Sequence, residues 1–544
     1  MKTFKSAAAA FALIIILFAG CKNPAKDVQI VVNTDIFKSP TLIQFVNAKK
    51  GIEGPQDFTV NIIGPNADLV RTTTGSKTFK ASSGLLNLVL DRSANPSAAN
   101  PVKFTVIANA TGFAPIFKDV VITSANEPTF YQVTVAEYAN PATGTGAIID
   151  TKAISNGTTS TDISITTPTN SGITQQTSIS VPTGTGLLDA AGVSVGGGTL
   201  ESRIAFNGTA TNGTTPVVPG GNVAKNVIGA NGQAITGGVT FIPAGSVSID
   251  MFSGGKEVKT FTKPVTVDME LSATMINPTT NTTVKAGETI PMWSLNDENG
   301  QWKNEGNATL LLNGSSKLVA RMQITHLSAW SAAWQAQSSD FCPTTFVINK
   351  PAATFTEKFI VTSAEDIITF LPGETTKTVV LVSHRLAAGN AFVRPYVTSE
   401  GNQLYVNNNV SNAYLSNTCN ATSTFTFVAA SNVINADVNI KVKCGGKDLL
   451  TGVNALITIT PIGGTSDDTR IYNLAQGRGS GQVIDGVTYK IVAAVDGKSY
   501  TSQFTANPNN FELPSGFDLK GTAVYNPMTK RLAIDGLVTK TDCK

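Results

Sequence analysis

Charge and histidine are what this sequence has least of. Asp, Glu, Lys and Arg make up 14% of its 544 residues, against about 25% in an ordinary globular chain. The net charge of +3 is scattered along the chain, so there is no basic stripe and no electrostatic footprint for nucleic acid. The two histidines are His326 and His384. Neither has a Cys or a second His at metal-ligand spacing, and the five cysteines contain no close pair of the kind a zinc site needs. The glycine-rich pieces QGRGSG (476–481) and VGGGTL (195–200) lack the Lys-Ser or Lys-Thr ending of a phosphate loop and open no helix, so they read as turns. The acidic turn Asn296-Asp297-Glu298-Asn299 carries too few ligands for calcium. No HExxH, Ser-His-Asp order or paired-carboxylate motif stands out, and no cofactor is expected. Helical periodicity is missing beyond the first twenty residues.

What is present is period two. Phe58, Val60 and Ile62 alternate with Thr59 and Asn61, and Leu86, Leu88 and Leu90 repeat the habit, as do Phe104 with Val106 and Val133 with Val135. Short alternating runs between Gly, Pro and Asn clusters are half-buried strands of sandwiches. The chain therefore reads as all-β, a multi-domain string of β-sandwiches resembling the immunoglobulin-like modules of bacterial surface lipoproteins. At about 150 residues per domain its length suits roughly three to five units. The expected units are a sandwich at 27–137, a Ser/Thr/Gly-rich β unit at 138–230, a Trp-rich sandwich at 231–338, a sandwich at 339–440 and a C-terminal sandwich at 441–544.

The first residues, MKTFKSAAAAFALIIILFAGC, place two lysines before an apolar run and small residues before Cys21, the layout of an export signal. The run is too short for a comfortable membrane span. It resembles the signal of bacterial lipoproteins, with Phe18 standing where leucine is usual. The resemblance implies removal of residues 1–20, acylation of Cys21 and a lipidated tether at 21–26. Each buried lipid methylene adds about 0.8 kcal/mol, so several chains on Cys21 would hold the protein on a bilayer. Lys22 and Asn23 stand where such lipoproteins carry an inner-membrane retention aspartate, which points to the outer membrane. The other cysteines are Cys342, Cys419, Cys444 and Cys543, an even number in a compartment where disulfides form. Three connectivities are possible; Cys342 with Cys419 and Cys444 with Cys543 keep each pair within one expected unit.

All four tryptophans, Trp293, Trp302, Trp330 and Trp334, fall within one stretch. Asn299-Gly300 between the first two signals a hairpin, with positive φ at both residues if the turn is type I′. Leu318, Ala320, Met322, Ile324 and His326 share parity, so a regular strand aims the imidazole at the apolar face, where burial would keep it neutral. Exposed indoles could stack on sugars, but alternation argues for core packing of most of them, with each indole N–H needing a partner.

Two tryptophans flanking a turn, then Glu305-Gly306, then His326-Leu327-Ser328 at a strand end, with IPAG upstream at 242–245, resemble the autoproteolytic region of adhesion-receptor GAIN domains. Related β-sandwich modules occur in ankyrins, netrin receptors and death-domain scaffolds. The cysteines that brace the receptor motif are absent. The resemblance implies attack by Ser328 on the Leu327 carbonyl, with His326 taking the hydroxyl proton, since serine needs an adjacent base.

The same tripeptide can instead close a strand without chemistry, and that is the reading adopted. The expectation is a non-enzymatic lipoprotein with a structural, adhesive or ligand-presenting role in the cell envelope. Its partners are the bilayer through Cys21 and a protein or glycan ligand, with no nucleic acid. The alternatives are a glycan-binding lipoprotein beside an outer-membrane transporter, and self-cleavage between Leu327 and Ser328.

Overall fold

The computed structural model describes residues 37–336 with short interruptions, the strands between 344 and 429, and residues 432–540 with interruptions. Apart from a three-residue 3-10 turn at Ala67–Leu69, the regular elements among these residues are strands, arranged in several sheets. The fold is all-β, as the alternation requires. Cys21, Cys342, Cys419, Cys543 and His384 lie outside the described residues. The backbone of Cys444 pairs with Lys540, the last residue of its strand.

The first sandwich pairs two four-stranded sheets over a core that includes Ile43, Phe45, Val60, Leu86, Leu88, Phe104 and Val106. Its strand Lys38–Asn47 runs parallel to its last strand, Thr129–Val135. A parallel pair needs a long crossover, and here the rest of the sandwich supplies it. The same wiring recurs twice. Thr344–Asn349 runs parallel to Thr422–Ala429, and Val433–Cys444 runs parallel to Arg531–Lys540. In each unit an early strand of the opposite sheet lies between two antiparallel neighbours; it is the second strand in the first two units and the third in the last, after Leu450–Gly452. Phe58–Ile63 sits between Phe79–Ala81 and Val102–Ala108. Lys358–Val361 sits between Asp366–Thr369 and Ala391–Tyr396, and Ala455–Pro461 between Arg470–Leu474 and Thr488–Val495. Three units thus share this core pairing, although their edge strands differ.

The central part differs. Thr199–Asn207 pairs with Thr145–Ala153 on one side and Val239–Ser253 on the other, while Ile163–Thr166 and Thr177–Val181 extend the sheet from Thr260–Glu270. These strands join Thr289–Leu295, Trp302–Leu312, Leu318–His326 and Ala329–Gln335 in one 14-stranded sheet. The expected division at residue 230 falls inside this sheet. The Ser/Thr/Gly-rich segment has too few apolar side chains for a core of its own; Ile165, Ile179, Ile204 and Phe206 enter one cluster with Val247, Val267, Met322 and Trp330.

A second cluster joins the first sandwich to this module. Ile107 and Phe117 from the outer face of Val102–Ala108 and Ile116–Ile122 pack with Phe241, Trp293, Leu295 and Trp302. Phe241 meets both indoles at ring separations of 5.1 Å. The hairpin tip takes part, because a Cβ on Gly300 would lie 2.7 Å from the Thr105 methyl. Only Gly300, at φ 62, takes the left-handed conformation there, and Asn299 does not. The turn is therefore not type I′. The Asn296 side chain accepts the N–H groups of Glu298 and Asn299, and Gly300 N–H donates to the Asn296 carbonyl, which closes a longer loop.

Candidate functional site

Strand Leu318–His326 buries Ala320, Met322 and Ile324, and exposes Arg321, Gln323 and Thr325. The parity holds to the strand end, where His326 stacks on Trp330 with ring centroids 4.9 Å apart and 30° between the planes. The strand stops at the margin of the core, however, so the imidazole side chain is 35% exposed rather than enclosed, and its Nε2 lies 3.5 Å from Glu305 Oε1.

Glu305 is held from several directions. Ser294 Oγ donates to its Oε1 at 2.9 Å and Lys303 Nζ donates to its Oε2 at 2.9 Å. Burial raises this carboxyl, but the hydrogen bonds from Lys303 and Ser294, with the Lys303 charge and the neighbouring His326 beside it, bring it below its ordinary value.

Leu327 and Ser328 are both buried. The Leu327 N–H donates to the Lys259 carbonyl at 2.8 Å. The Ser328 hydroxyl donates to the Leu295 carbonyl on the adjacent strand. The sheet thus brings the tripeptide together with Glu305, Ser294 and Leu295, and it gives His326 and Ser328 different polar neighbours.

A second polar cluster lies close by and has no counterpart in any sequence motif. The Lys259 ammonium donates to Glu257 Oε1 at 2.8 Å and to an Asp297 carboxylate oxygen. Burial lowers this ammonium, but the two carboxylates more than offset that and raise it. Asp250 faces the same cluster. Burial pushes its carboxyl up to about 6, the charges of Glu257 and Asp297 add to the rise, and the Tyr138 hydrogen bond and the Lys259 charge oppose it. Tyr138 Oη donates to Asp250 Oδ2 at 2.5 Å. Burial, followed by the adjacent Asp250 charge, raises the Tyr138 phenol well above its ordinary value. Tyr138 lies where the first sandwich runs into the central sheet, so the pair fastens one to the other. Among the described residues, no group of three or more His, Cys, Asp or Glu is placed to hold a metal ion. Asp297, in the turn weighed above for calcium, is engaged by Lys259 instead.

All four indoles are buried, each no more than 5% exposed. Trp293 Nε1 donates to the Ala333 carbonyl at 3.0 Å, while Trp330 Nε1 is enclosed with no hydrogen-bond partner. None presents a ring face to solvent for stacking on a sugar.

No protein-family model matches the sequence, and no curated protein matches it. Among solved structures, the chain is similar to the Bacillus anthracis TIE protein at 11% identity and a TM-score of 0.14, covering 72% of this chain and 58% of that one. It is similar to a variant of BcpA, the major pilin subunit of Bacillus cereus, at 8% identity and a TM-score of 0.14, covering 93% of this chain and 100% of that one. It is also similar to the pilus adhesin SpaC from Lactobacillus rhamnosus GG in an open conformation, at 10% identity and a TM-score of 0.15, covering 93% and 57%. The chain thus spans little more than half the length of the first and third. Likenesses of this depth do not bear on function, which rests on the chain's own geometry.

Proposed function

We propose that this chain is an exported lipoprotein, acylated at Cys21 and anchored in the outer membrane, where its sandwiches act as a non-catalytic structural, adhesive or ligand-presenting component of the cell envelope. One observation carries the non-catalytic part: the single candidate nucleophile and base are both engaged in holding the sheet. The Ser328 hydroxyl is donated to the Leu295 carbonyl, and the His326 imidazole lies between Trp330 and Glu305. A serine whose hydroxyl is donated to a backbone carbonyl is not paired with the base that a nucleophile needs. Anchoring is supported by the signal layout of residues 1–21.

The intact mass of the protein recovered from its own membrane fraction tests both parts. The expected species is one chain beginning at Cys21 with added lipid. A lipid-free mass sinks the anchor, and two fragments meeting at Leu327 and Ser328 sink the non-catalytic reading.

A further inference from the structure

The first and last sandwiches each have an apolar outer face, and the two faces meet. Strand Leu85–Leu90 is buried at all six positions. Alternation accounts for Leu86, Leu88 and Leu90, which fill the sandwich's own core, but a sandwich with one sheet face in water leaves the opposite parity exposed. Here that parity is covered. Leu42 and Leu85 form a separate cluster with Leu456 and Val492 of the last sandwich, flanked by Phe130 and Ile471; Leu42 has no exposed surface and Val492 is 8% exposed. At the rim, Ser83 Oγ donates to Ser499 Oγ at 2.6 Å across 416 positions of sequence, and Lys490 lies 3.5 Å from Glu53.

We propose that the outer face of the first sheet is a docking surface for the chain's own C-terminal sandwich, so that the molecule is latched end to end, and that this latch can be released without unfolding either sandwich. Two features argue for release. The contact cluster is distinct from the cores of the two sandwiches it joins, so opening it leaves both cores whole. Its polar rim is thin: the ion pair is exposed on both partners, with side-chain exposures of 40% and 73%, and such pairs contribute little. The Trp-lined seam on the other side of the first sandwich is broader and fully apolar at its centre, so the latch is the weaker of the two grips on that sandwich. Opening it would uncover two complementary but non-identical faces, the arrangement that pairs copies head to tail.

The test uses the full chain carrying Ser83→Cys and Ser499→Cys. The short oxygen-to-oxygen distance brings the replacement sulfurs within reach of a bond. Under mild oxidation, the monomer fraction should yield a linked peptide joining positions 83 and 499, absent from each single variant. Adding Leu42→Asp, which places a charge in the buried contact, should cut the yield of that link by roughly tenfold or more. Circular dichroism of the same variant should show both sandwiches still folded, and its radius of gyration in solution should increase. Failure to form the link in the monomer, its appearance only between copies, or an unchanged yield with Leu42→Asp would each overturn the proposal.

Discussion

The Tyr138–Asp250 pair makes the junction between the first sandwich and the central sheet sensitive to pH, with a direction that follows from its surroundings. Asp250 rises from an ordinary 3.8 to about 6 in the folded chain. Each unit corresponds to about 1.4 kcal/mol, so keeping this carboxylate charged costs at most about 3 kcal/mol at neutral pH; partial solvent access to Asp250 makes that an upper bound. Because the folded form holds the proton more tightly than the unfolded one, the group's contribution is most favourable below the unfolded value and is lost as pH rises through about 6. Between about pH 8 and about pH 5, roughly half of that cost is removed. The groups facing Asp250 are Tyr138, Glu257, Lys259 and Asp297, and Arg203 stands opposite it in the ladder. Glu305 works the other way, since its lowered value gives stability that is lost only as pH falls through and below the ordinary carboxylate range, and because histidines change charge between about pH 5 and 8, it is the difference between the parent and Asp250→Asn that isolates Asp250. Urea unfolding followed by tryptophan fluorescence is the assay, because Trp293 and Trp302 lie in the seam. Asp250→Asn should be more stable than the parent at about pH 8 and should flatten the slope. Tyr138→Phe should cost about 1.5 to 3 kcal/mol there, the loss of a hydrogen bond to a charged group, and less at about pH 5. An Asp250→Asn chain that is less stable at high pH, or that keeps the parent's slope, would refute the reasoning.

Ser328→Ala should lower stability by about 1 kcal/mol by leaving the buried Leu295 carbonyl short of a donor, with a single band on a denaturing gel before and after; urea unfolding and the gel check both halves. The buried indoles predict low acrylamide quenching and a flat fluorescence response to a polysaccharide panel, and a strong response to any one polysaccharide would reinstate sugar stacking. Gly300→Ala should destabilise by about 1 to 3 kcal/mol, through its positive φ and the approach to Thr105, with the loss seen in the tryptophan-reported transition.

Strand positions were legible in the sequence because each depends on a local alternation, as Phe58, Val60 and Leu318–His326 show. Strand partners were not, because pairing depends on residues far along the chain. Nothing local marks Thr199–Asn207 as the neighbour of Val239–Ser253, and a segment rich in Ser, Thr and Gly looks like a linker until its few apolar residues are seen to enter another unit's core. One signal was available: LLNLVL and VKFTVIA carry apolar residues on both parities. Continuous apolar runs are the mark of strands covered on both faces, and both strands are covered on both faces, one by the last sandwich and the other by the tryptophan seam.

The candidate site divides in the same way. His326, Leu327 and Ser328 could be placed at a strand end from parity alone, and Glu305 came with the motif. Tyr138 and Asp250 stand 112 positions apart, and Lys259 meets Asp297 across 38, so no spacing rule could join them. A His-Leu-Ser strand end is compatible both with cleavage and with closure, and the tripeptide itself cannot distinguish them. What the structure adds is the partner that the neighbouring strand offers the serine. Here Thr289–Leu295 pairs with Ala329–Gln335 in a register that sets Leu295 opposite Ala329, which brings the Leu295 carbonyl within reach of the hydroxyl one residue earlier. A shift of that register by one residue would turn the carbonyl away and take that acceptor from the hydroxyl. The partner of the Ser328 hydroxyl is therefore set by the register between two strands, which the tripeptide does not encode.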